Sequence, residues 1–279
     1  NKLRMGQKMV GNLSPYARHS PWVDAGLKIF RRFSIPFKRR ILRRNPGKHL
    51  QTGGAVIAVV GGDGAGKTTV VEAVFQWLGS EFAVRKFHMG KPQPSFLTLA
   101  VRAILKIGRT LGFYPYQRAD VSYSKQPEAV IFPGYPWLFR EVCTARDRQH
   151  TSQHARQCAV KGELVILDRF PLEEIKFMDG PQASRMASGM KQSWLLRFLV
   201  NLEESYYQKI SPPELLIVLR VHPEIAVQRK RDEPEKTVRP RATEVWEVDW
   251  TRTAAHVIDA CAPLETVFSE VLRLIWAVV

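Results

Sequence analysis

The sequence predicts an α/β protein with a five-stranded parallel sheet, helices on both faces, and a basic N-terminal arm. Two observations predict this fold class. Short apolar runs alternate with segments of helical periodicity along most of the chain. Each apolar run is nearly uninterrupted, which is typical of strands buried on both faces. Because each pair of runs is separated by a helix-length segment, we expect crossover connections and parallel pairing.

The elements follow in a regular order. The predicted strands are residues 55–60, 82–89, 163–168, 214–221 and 256–260. The predicted helices are residues 68–78, 96–111, 137–161, 191–209, a segment that begins at Pro223, and residues 263–276. Pro263 falls in the first turn of the last helix, where its missing N–H is not needed. Residues 113–136 are rich in Pro, Tyr and Gly and are predicted to be irregular or partly helical.

The first strand runs directly into a phosphate-binding motif. Residues 61–68 read GGDGAGKT and match GxxxxGK[ST] at every fixed position. Glycines let the backbone curl so that its N–H groups point at phosphate oxygens, and the next helix offers its positive N-terminus to the same anion. Lys67 would place a charge between the β- and γ-phosphates, and the Thr68 hydroxyl would be a Mg²⁺ ligand.

This motif refines the fold prediction to a three-layer α/β/α P-loop NTPase with ATP and Mg²⁺ as cofactors. The residues predicted to bind ATP are Gly61, Gly62, Gly64, Ala65, Gly66, Lys67, Thr68 and Thr69. An NKxD-type guanine motif does not occur between the third strand and the C-terminus. That absence weighs against a GTPase.

The positive charge is concentrated in the N-terminal arm, residues 1–53. The chain of 279 residues has a formal net charge of +16. Residues 1–50 hold thirteen Lys or Arg and one acid, so the rest of the chain is nearly balanced. The charge therefore points to a partner of the arm and not to the chemistry of the body.

The arm has an interrupted amphipathic pattern. Its apolar residues at helical spacing are Phe30, Phe33, Phe37 and Ile41. Pro36 interrupts this pattern. We expect either an arm that lies on an anionic membrane surface or an acidic partner, or a solvated linker from an upstream domain.

Composition restricts the cellular setting. No apolar stretch approaches the roughly 18 residues of a membrane helix, and no secretory signal is present. Cys143, Cys158 and Cys261 are far apart, which favours reduced thiols. We therefore expect a cytoplasmic protein, with peripheral membrane association and a homodimer left open.

Four segments together resemble the thymidylate kinase family. They are GGDGAGKTT, QHTSQHARQCAVKGELVILDRF, VLRVHPEIAVQRKR and HVIDACAPLETVFSEVL, and they occur in the order in which that family has its motifs. The resemblance covers about residues 54–276. It implies a thymidylate-kinase-like domain over residues 54–279, with a lid at about residues 229–243.

The resemblance implies roles for individual residues. Lys67 and Thr68 match the positions that bind ATP phosphates and Mg²⁺, and Asp63 matches the acidic P-loop position that faces the acceptor's sugar. Asp168 and Arg169 match the Asp-Arg after the third strand, where the Asp organises Mg²⁺ and the Arg reaches phosphates.

Further roles concern the acceptor and the lid. Arg148 lies one residue from the family's phosphate-gripping arginine, with Arg146 as a competing candidate, and His88 is a candidate acceptor ligand. The P-loop has no internal arginine, and family members of that kind carry the catalytic arginine in the lid. The lid cations are Arg229, Lys230, Arg231, Arg239 and Arg241. We predict Arg229 and Arg231 as catalytic, together with Lys67, Asp63 and Arg169.

The acceptor stays open among three hypotheses. The first is transfer of the ATP γ-phosphoryl to a (deoxy)nucleoside monophosphate such as dTMP. Residues 87–92 and 170–181 depart from the family pattern on the acceptor side, which motivates the second, a kinase of a nucleoside, sugar or glycan. The third is a non-catalytic ATP-binding interaction module.

Overall fold

The computed structural model describes Ser20 and residues 22–23, 25–30, 47–113, 132–175, 180–187 and 193–279. The strands are β1 (Val56–Gly61), β2 (Val84–His88), β3 (Leu164–Asp168), β4 (Leu215–Arg220) and β5 (Ala255–Asp259). The helices of the body are α1 (Lys67–Gly79), α2 (Phe96–Thr110), α3 (Tyr135–Val160), α4 (Ala183–Ala187), α5 (Trp194–Gln208), α6 (Pro223–Arg229), α7 (Glu235–Glu247) and α8 (Leu264–Val278), with a 3₁₀ turn at Trp250–Arg252.

The five strands form one parallel sheet in the order β2-β3-β1-β4-β5, which confirms the predicted fold class. β1 is central: Val59 lies opposite Asp168 of β3 on one side and Ile217 of β4 on the other. The chain fills one side of β1 and then crosses to the other. The carboxyl end of β1 is therefore the topological switch point, where open α/β sheets bind ligands.

Alternating residues of the strands feed two hydrophobic cores. On one face, Ile57 and Val59 pack in the same cluster as α1 and α8. On the other face, Ala58 and Val60 pack in the same cluster as Ala155 of α3. Both faces of the sheet are covered, as the uninterrupted apolar runs predict, and the result is three layers.

A third core lies outside the sheet and joins α3, α4 and α5. Its buried residues are Leu138, Val142, Ala183, Ala187, Leu196 and Leu199. Ser193 caps α5 by accepting a hydrogen bond from the Leu196 N–H at 3.2 Å, so this helix begins at Trp194 and not at residue 191 as predicted. The short helix α4 was not predicted.

The chain divides into two compact units, Asn1–Pro46 and Gly47–Val279. Residues 47–53, which the sequence analysis assigned to the arm, make contacts in the second unit: Leu50 N–H donates to Gly162 at 2.9 Å, and Lys48 forms a bridge with Phe82. In the first unit, residues 22–23 and 25–30 are helical. The arm's predicted apolar spacing from Phe33 to Ile41 lies outside the described residues.

Two other outcomes concern the connections. α3 begins at Tyr135, inside the segment predicted to be irregular or partly helical, and residues 114–131 of that segment are not described. The predicted lid contains α7, a helix that tolerates Pro240 in its interior. Among the described residues, no helix combines the length and the apolar character needed to cross a bilayer.

Candidate active site

The P-loop joins β1 to α1 and leaves the helix N-terminus without a side-chain cap. Gly64 and Gly66 both have a φ of +78°, a left-handed conformation that favours glycine. The first backbone N–H groups of α1 have no intrahelical acceptor, so they can bind an anion. The local geometry therefore has the form that the GxxxxGK[ST] spacing predicts.

Two glycines allow other elements to lie directly on this loop. A Cβ at Gly62 would sit 2.9 Å from the Ala242 Cα of α7, and a Cβ at Gly64 would sit 2.9 Å from the Ala226 Cα of α6. Both distances are too short for a real side chain. Glycine at these positions is thus required by the close approach of α6 and α7.

A cavity of about 500 Å³ runs along the outside of the loop. Residues 63–70 form one wall, and Arg229 and Lys230 contribute cations. One part of the lining is apolar, with Ala260, Ala262, Leu264 and Val267. A volume of this size with a polar part and an apolar part suits a nucleotide.

Lys67 is folded into the loop. Its side chain is buried, and Nζ donates to the Gly62 carbonyl at 2.6 Å. Nζ also lies 4.0 Å from Asp63 Oδ1. The ammonium group is therefore held beside the anion-binding backbone.

Three cations converge on the buried carboxylate of Asp63. Arg241 Nη1 donates to Oδ2 at 2.8 Å, Arg169 Nη2 lies 3.9 Å from Oδ1, and Lys67 is the third. Burial acts to raise the pKa of Asp63, but the hydrogen bond from Arg241 and the nearby positive charges outweigh it and lower the pKa below its ordinary value. Asp63 is thus ionised and holds the cations together.

Arg169 reaches this cluster from a strained backbone. Its φ is +67°, and it is the one described non-glycine residue with a positive φ. Its N–H donates to the Val59 carbonyl at 3.0 Å, which ties the turn after β3 to β1. Such strain costs about 1–3 kcal/mol and is common at functional sites.

Asp168 and Thr68 fit the predicted metal site. The buried Oδ1 of Asp168 has no hydrogen-bond partner within the described structure. Thr68 is exposed in the first turn of α1. A hard cation prefers such oxygen ligands. The predicted acceptor ligand His88 pairs in register with Asp168 and is exposed at the same edge of the sheet.

Arg148 does not point into an open cleft. Its Nε donates to the Met89 carbonyl at 2.9 Å, and Nη2 donates to the Gly90 carbonyl at 3.3 Å. Nη1 donates to the Tyr207 hydroxyl. Arg148 is buried, so an acceptor phosphate would have to displace these internal contacts. The structure gives Arg148 a bracing position between β2, α3 and α5.

The neighbouring residues of α3 face the start of α2. Arg146 Nη1 donates to Ser95 Oγ at 3.0 Å, and Asp147 Oδ1 accepts from the Ser95 N–H at 3.3 Å. Asp147 is buried, and its Oδ2 has no hydrogen-bond partner in the described part of the chain. A buried carboxylate thus lies one residue before Arg148, against the residue that precedes α2.

The predicted lid cations occupy different environments. Arg229 donates to the Ala260 carbonyl at 2.8 Å and lines the cavity. Arg231 is exposed and does not line the cavity. Arg239 pairs with Glu224 and Glu235. Arg241, which the sequence analysis placed in the lid but not among the catalytic residues, is the lid cation that contacts the P-loop aspartate.

Comparisons with known proteins agree with this geometry. No protein-family model matches the chain. The "Uncharacterized ATP-binding protein YghR" of Escherichia coli K12 is 28% identical over 227 residues, which are 78% of this chain and 84% of that protein. The "Uncharacterized ATP-binding protein YghS" of the same strain is 24% identical over 226 residues, 80% of this chain and 92% of that protein.

A solved structure decides the fold type. Thymidylate kinase from Candida albicans superposes with a TM-score of 0.50 at 15% sequence identity, over 81% of this chain and 92% of that one. The chain has a P-loop kinase-like fold. The predicted fold class is confirmed, and the likeness to thymidylate kinase holds at the level of the fold.

Within the kinase-like fold, the site has two sides. The cavity along the P-loop lies at the carboxyl ends of β1, β4 and β5, toward α8. The edge formed by the carboxyl ends of β2 and β3 carries His88, Asp168 and Arg169. The Asp63 cluster lies where these two sides meet. Such an arrangement can hold a phosphorylated ligand on one side and a second ligand on the other.

Proposed function

We propose that the protein is an ATP-dependent phosphotransferase. The observation that carries this proposal is the convergence of Lys67, Arg169 and Arg241 on Asp63 beside a nucleotide-sized cavity. A cation cluster that encloses a single small anionic group matches the needs of phosphoryl transfer, in which charge on the transferred group must be neutralised.

ATP would lie along the P-loop cavity. The backbone N–H groups at the start of α1 would bind the phosphate tail, and Lys67 would exchange the Gly62 carbonyl for phosphate oxygens. The adenine would occupy the apolar part of the cavity near Ala262 and Leu264. The ATP-binding names of the two E. coli relatives support this ligand.

An acceptor oxygen held at the β2–β3 edge would attack the γ-phosphorus in line. The bond from the γ-phosphorus to the bridging oxygen would break, and ADP would leave. Arg169 and Arg241 would then share their charge between Asp63 and the transferring phosphoryl group. Because both are already positioned, little reorganisation is needed during the reaction. Helix α7 already lies against the loop, and this cover would help to exclude water and limit ATP hydrolysis.

Asp168 and Thr68 would hold Mg²⁺, and the bound ion would neutralise the β- and γ-phosphate oxygens. The chain's own part is to supply a buried carboxylate oxygen without another partner and a hydroxyl in the first turn of α1.

For the acceptor, we propose first a (deoxy)nucleoside monophosphate such as dTMP. The support is the position of Arg169, which lies between the phosphate cavity and the acceptor edge and can contact phosphates on both sides. Asp63, on the same cluster, can accept a hydrogen bond from a sugar hydroxyl.

A second candidate is a kinase of an acceptor that has no phosphate, such as a nucleoside, sugar or glycan. One observation favours it: Arg148 donates its hydrogen bonds to Met89, Gly90 and Tyr207. The residue before it, Asp147, has a buried carboxylate oxygen without a hydrogen-bond partner in the described part of the chain. A carboxylate suits hydroxyl donors and repels a phosphate.

Incubation with labelled ATP, Mg²⁺ and a panel of nucleoside monophosphates, nucleosides and sugars tests both candidates. Label on a monophosphate alone supports the first, and label on an unphosphorylated acceptor alone supports the second. ATP binding without transfer to any acceptor would contradict the phosphotransferase proposal and favour a non-catalytic module.

A further inference from the structure

Helix α2 carries a continuous apolar face that is exposed in the described structure. This α2 apolar face comprises Phe96, Leu97, Ala100, Ile104, Ile107 and Leu111. Four of these side chains are largely exposed: Phe96 is 91%, Ile104 67%, Ile107 58% and Leu111 66% exposed. We propose that this face docks on an anionic lipid surface.

The direction of the face follows from how α2 is attached to the body. Thr98 is fully buried, and Val101 and Leu105 are half-buried, so these residues mark the inner side of the helix. Ser95 caps the helix and contacts α3 through Arg146 and Asp147. At 100° per residue, Ile104 and Ile107 project away from Thr98. The α2 apolar face is therefore an outer surface.

The charged residues of α2 are all cations. They are Arg102, Lys106 and Arg109, at spacings of four and three residues, and the helix contains no Asp or Glu. At 100° per residue they form one strip on the polar side of the helix, next to the inner side and roughly opposite the α2 apolar face. Long Arg and Lys side chains can lie along apolar groups and carry their charge to the headgroup level. A helix with aliphatic and aromatic residues on one face and only cations on its polar face is typical of helices that lie in a membrane interface.

The charge of α2 favours an anionic surface over a second copy of the chain. The helix carries Arg102, Lys106 and Arg109 but no Asp or Glu that could pair with the same cations of another copy. An anionic bilayer supplies a negative headgroup for each cation and an apolar layer for Ile104 and Ile107.

Vesicle flotation of the full chain tests the proposal. The probes are vesicles of phosphatidylcholine alone and of phosphatidylcholine mixed with phosphatidylglycerol. Ile104→Asp and Ile107→Asp should each lower the affinity for the mixed vesicles by about tenfold or more, because each removes an exposed aliphatic side chain that would enter the acyl layer. Arg102→Ser and Lys106→Ser should each lower it by about fivefold and leave binding to the neutral vesicles unchanged.

The matched control is Val160→Asp. Val160 is 82% exposed at the end of α3, outside the α2 apolar face, so this variant introduces the same charge elsewhere and should bind vesicles like the wild-type chain. Circular dichroism checks that each variant is folded. If an Asp variant unfolds, Ile104→Ser replaces it.

Three results would overturn the proposal. Equal vesicle affinity of the Ile104→Asp variant and the wild-type chain would show that the arm alone binds lipid. Equal binding to neutral and mixed vesicles would remove the role of the cations. Loss of self-association in sedimentation, with unchanged vesicle binding, would assign the α2 apolar face to a second copy.

Discussion

Arg241 of α7 donates a hydrogen bond to the Asp63 carboxylate of the P-loop at 2.8 Å. This contact joins the lid to the phosphate-binding loop across 178 residues of sequence. We predict that Arg241→Ala lowers kcat for phosphoryl transfer by about a hundredfold to a thousandfold with a smaller change in KM. Arg239→Ala is the matched control, because Arg239 lies on the same helix and pairs with Glu224 and Glu235 instead. Equal kcat values for the two variants would contradict a catalytic role of Arg241.

Lys67→Ala should lower ATP-dependent transfer by at least about a hundredfold, because the charge beside the phosphate-binding backbone is lost. Lys86→Ala serves as control, since Lys86 lies on β2 and pairs with Glu72. Transfer of label from ATP measures activity, and circular dichroism confirms that the fold is retained. Undiminished transfer by Lys67→Ala would reject the site.

Two glycines of the P-loop should differ in their tolerance of alanine. Gly64 and Gly66 share a φ of +78°, which costs an L-residue about 1–2 kcal/mol. At Gly64 the new Cβ would also lie 2.8 Å from the Ala226 carbonyl oxygen, whereas no atom lies within 4 Å at Gly66. Gly64→Ala should therefore lower the free energy of unfolding by about 1–3 kcal/mol more than Gly66→Ala. Urea unfolding measures both, and equal values would argue against close packing of α6 on the loop.

The Arg148→Met variant distinguishes a structural role of Arg148 from a role in acceptor binding. It would leave the Met89 and Gly90 carbonyls and the Tyr207 hydroxyl without their donor. We expect a loss of about 3–5 kcal/mol in the free energy of unfolding, against about 1 kcal/mol for Tyr207→Phe. Urea unfolding and KM for the acceptor are measured in parallel. A higher KM for the acceptor with an unchanged free energy of unfolding would indicate that Arg148 binds the acceptor.

Glu203 should make stability depend on pH. It is buried and accepts from the Ala183 and Gln182 N–H groups at 2.8 and 3.2 Å. Burial raises its pKa from 4.5 to about 7 despite these hydrogen bonds. Between these two pH values the folded protein holds a proton that the unfolded chain has lost. Stability contributed by this group is therefore complete below pH 4.5 and falls as pH rises to 7, by at most about 3 kcal/mol.

The test of this pH effect is a comparison with Glu203→Gln. The difference in the free energy of unfolding between wild type and variant should change from pH 5 to pH 8 in favour of the variant. Glu204→Gln, at the adjacent position, is the control. A difference that is the same at both pH values would show that Glu203 does not titrate in this range.

The P-loop side of the candidate site could be predicted from local sequence patterns. The spacing of one motif predicts the positions of Lys67 and Thr68, and the end of an apolar run predicts the position of Asp168. Each of these signals lies within a few consecutive residues. The sheet followed from near-continuous apolar runs, whose two faces the structure covers with α1 and α3.

Tertiary contacts explain what the sequence did not predict. Arg241 and Arg231 belong to the same cationic stretch, and only the packing of Val238 and Ala242 in the core directs Arg241 toward Asp63. Val238 and Ala242 both lie on α7, which was not predicted as a helix. Its interior contains Pro240, and proline usually interrupts helices. Arg148 donates to the Met89 carbonyl, just after β2, across 59 residues of sequence, and no local pattern predicts this contact.

β1 lies at the centre of the sheet, and the sites proposed for ATP and for its acceptor use different chain segments. The cavity proposed for ATP is lined by the P-loop and by the chain after β4, whereas the edge proposed for the acceptor is built by the connections that follow β2 and β3. On the proposed function, those connections could vary in sequence without a change in the loop that binds ATP. Relatives of this chain could then act on different acceptors through substitutions confined to two segments.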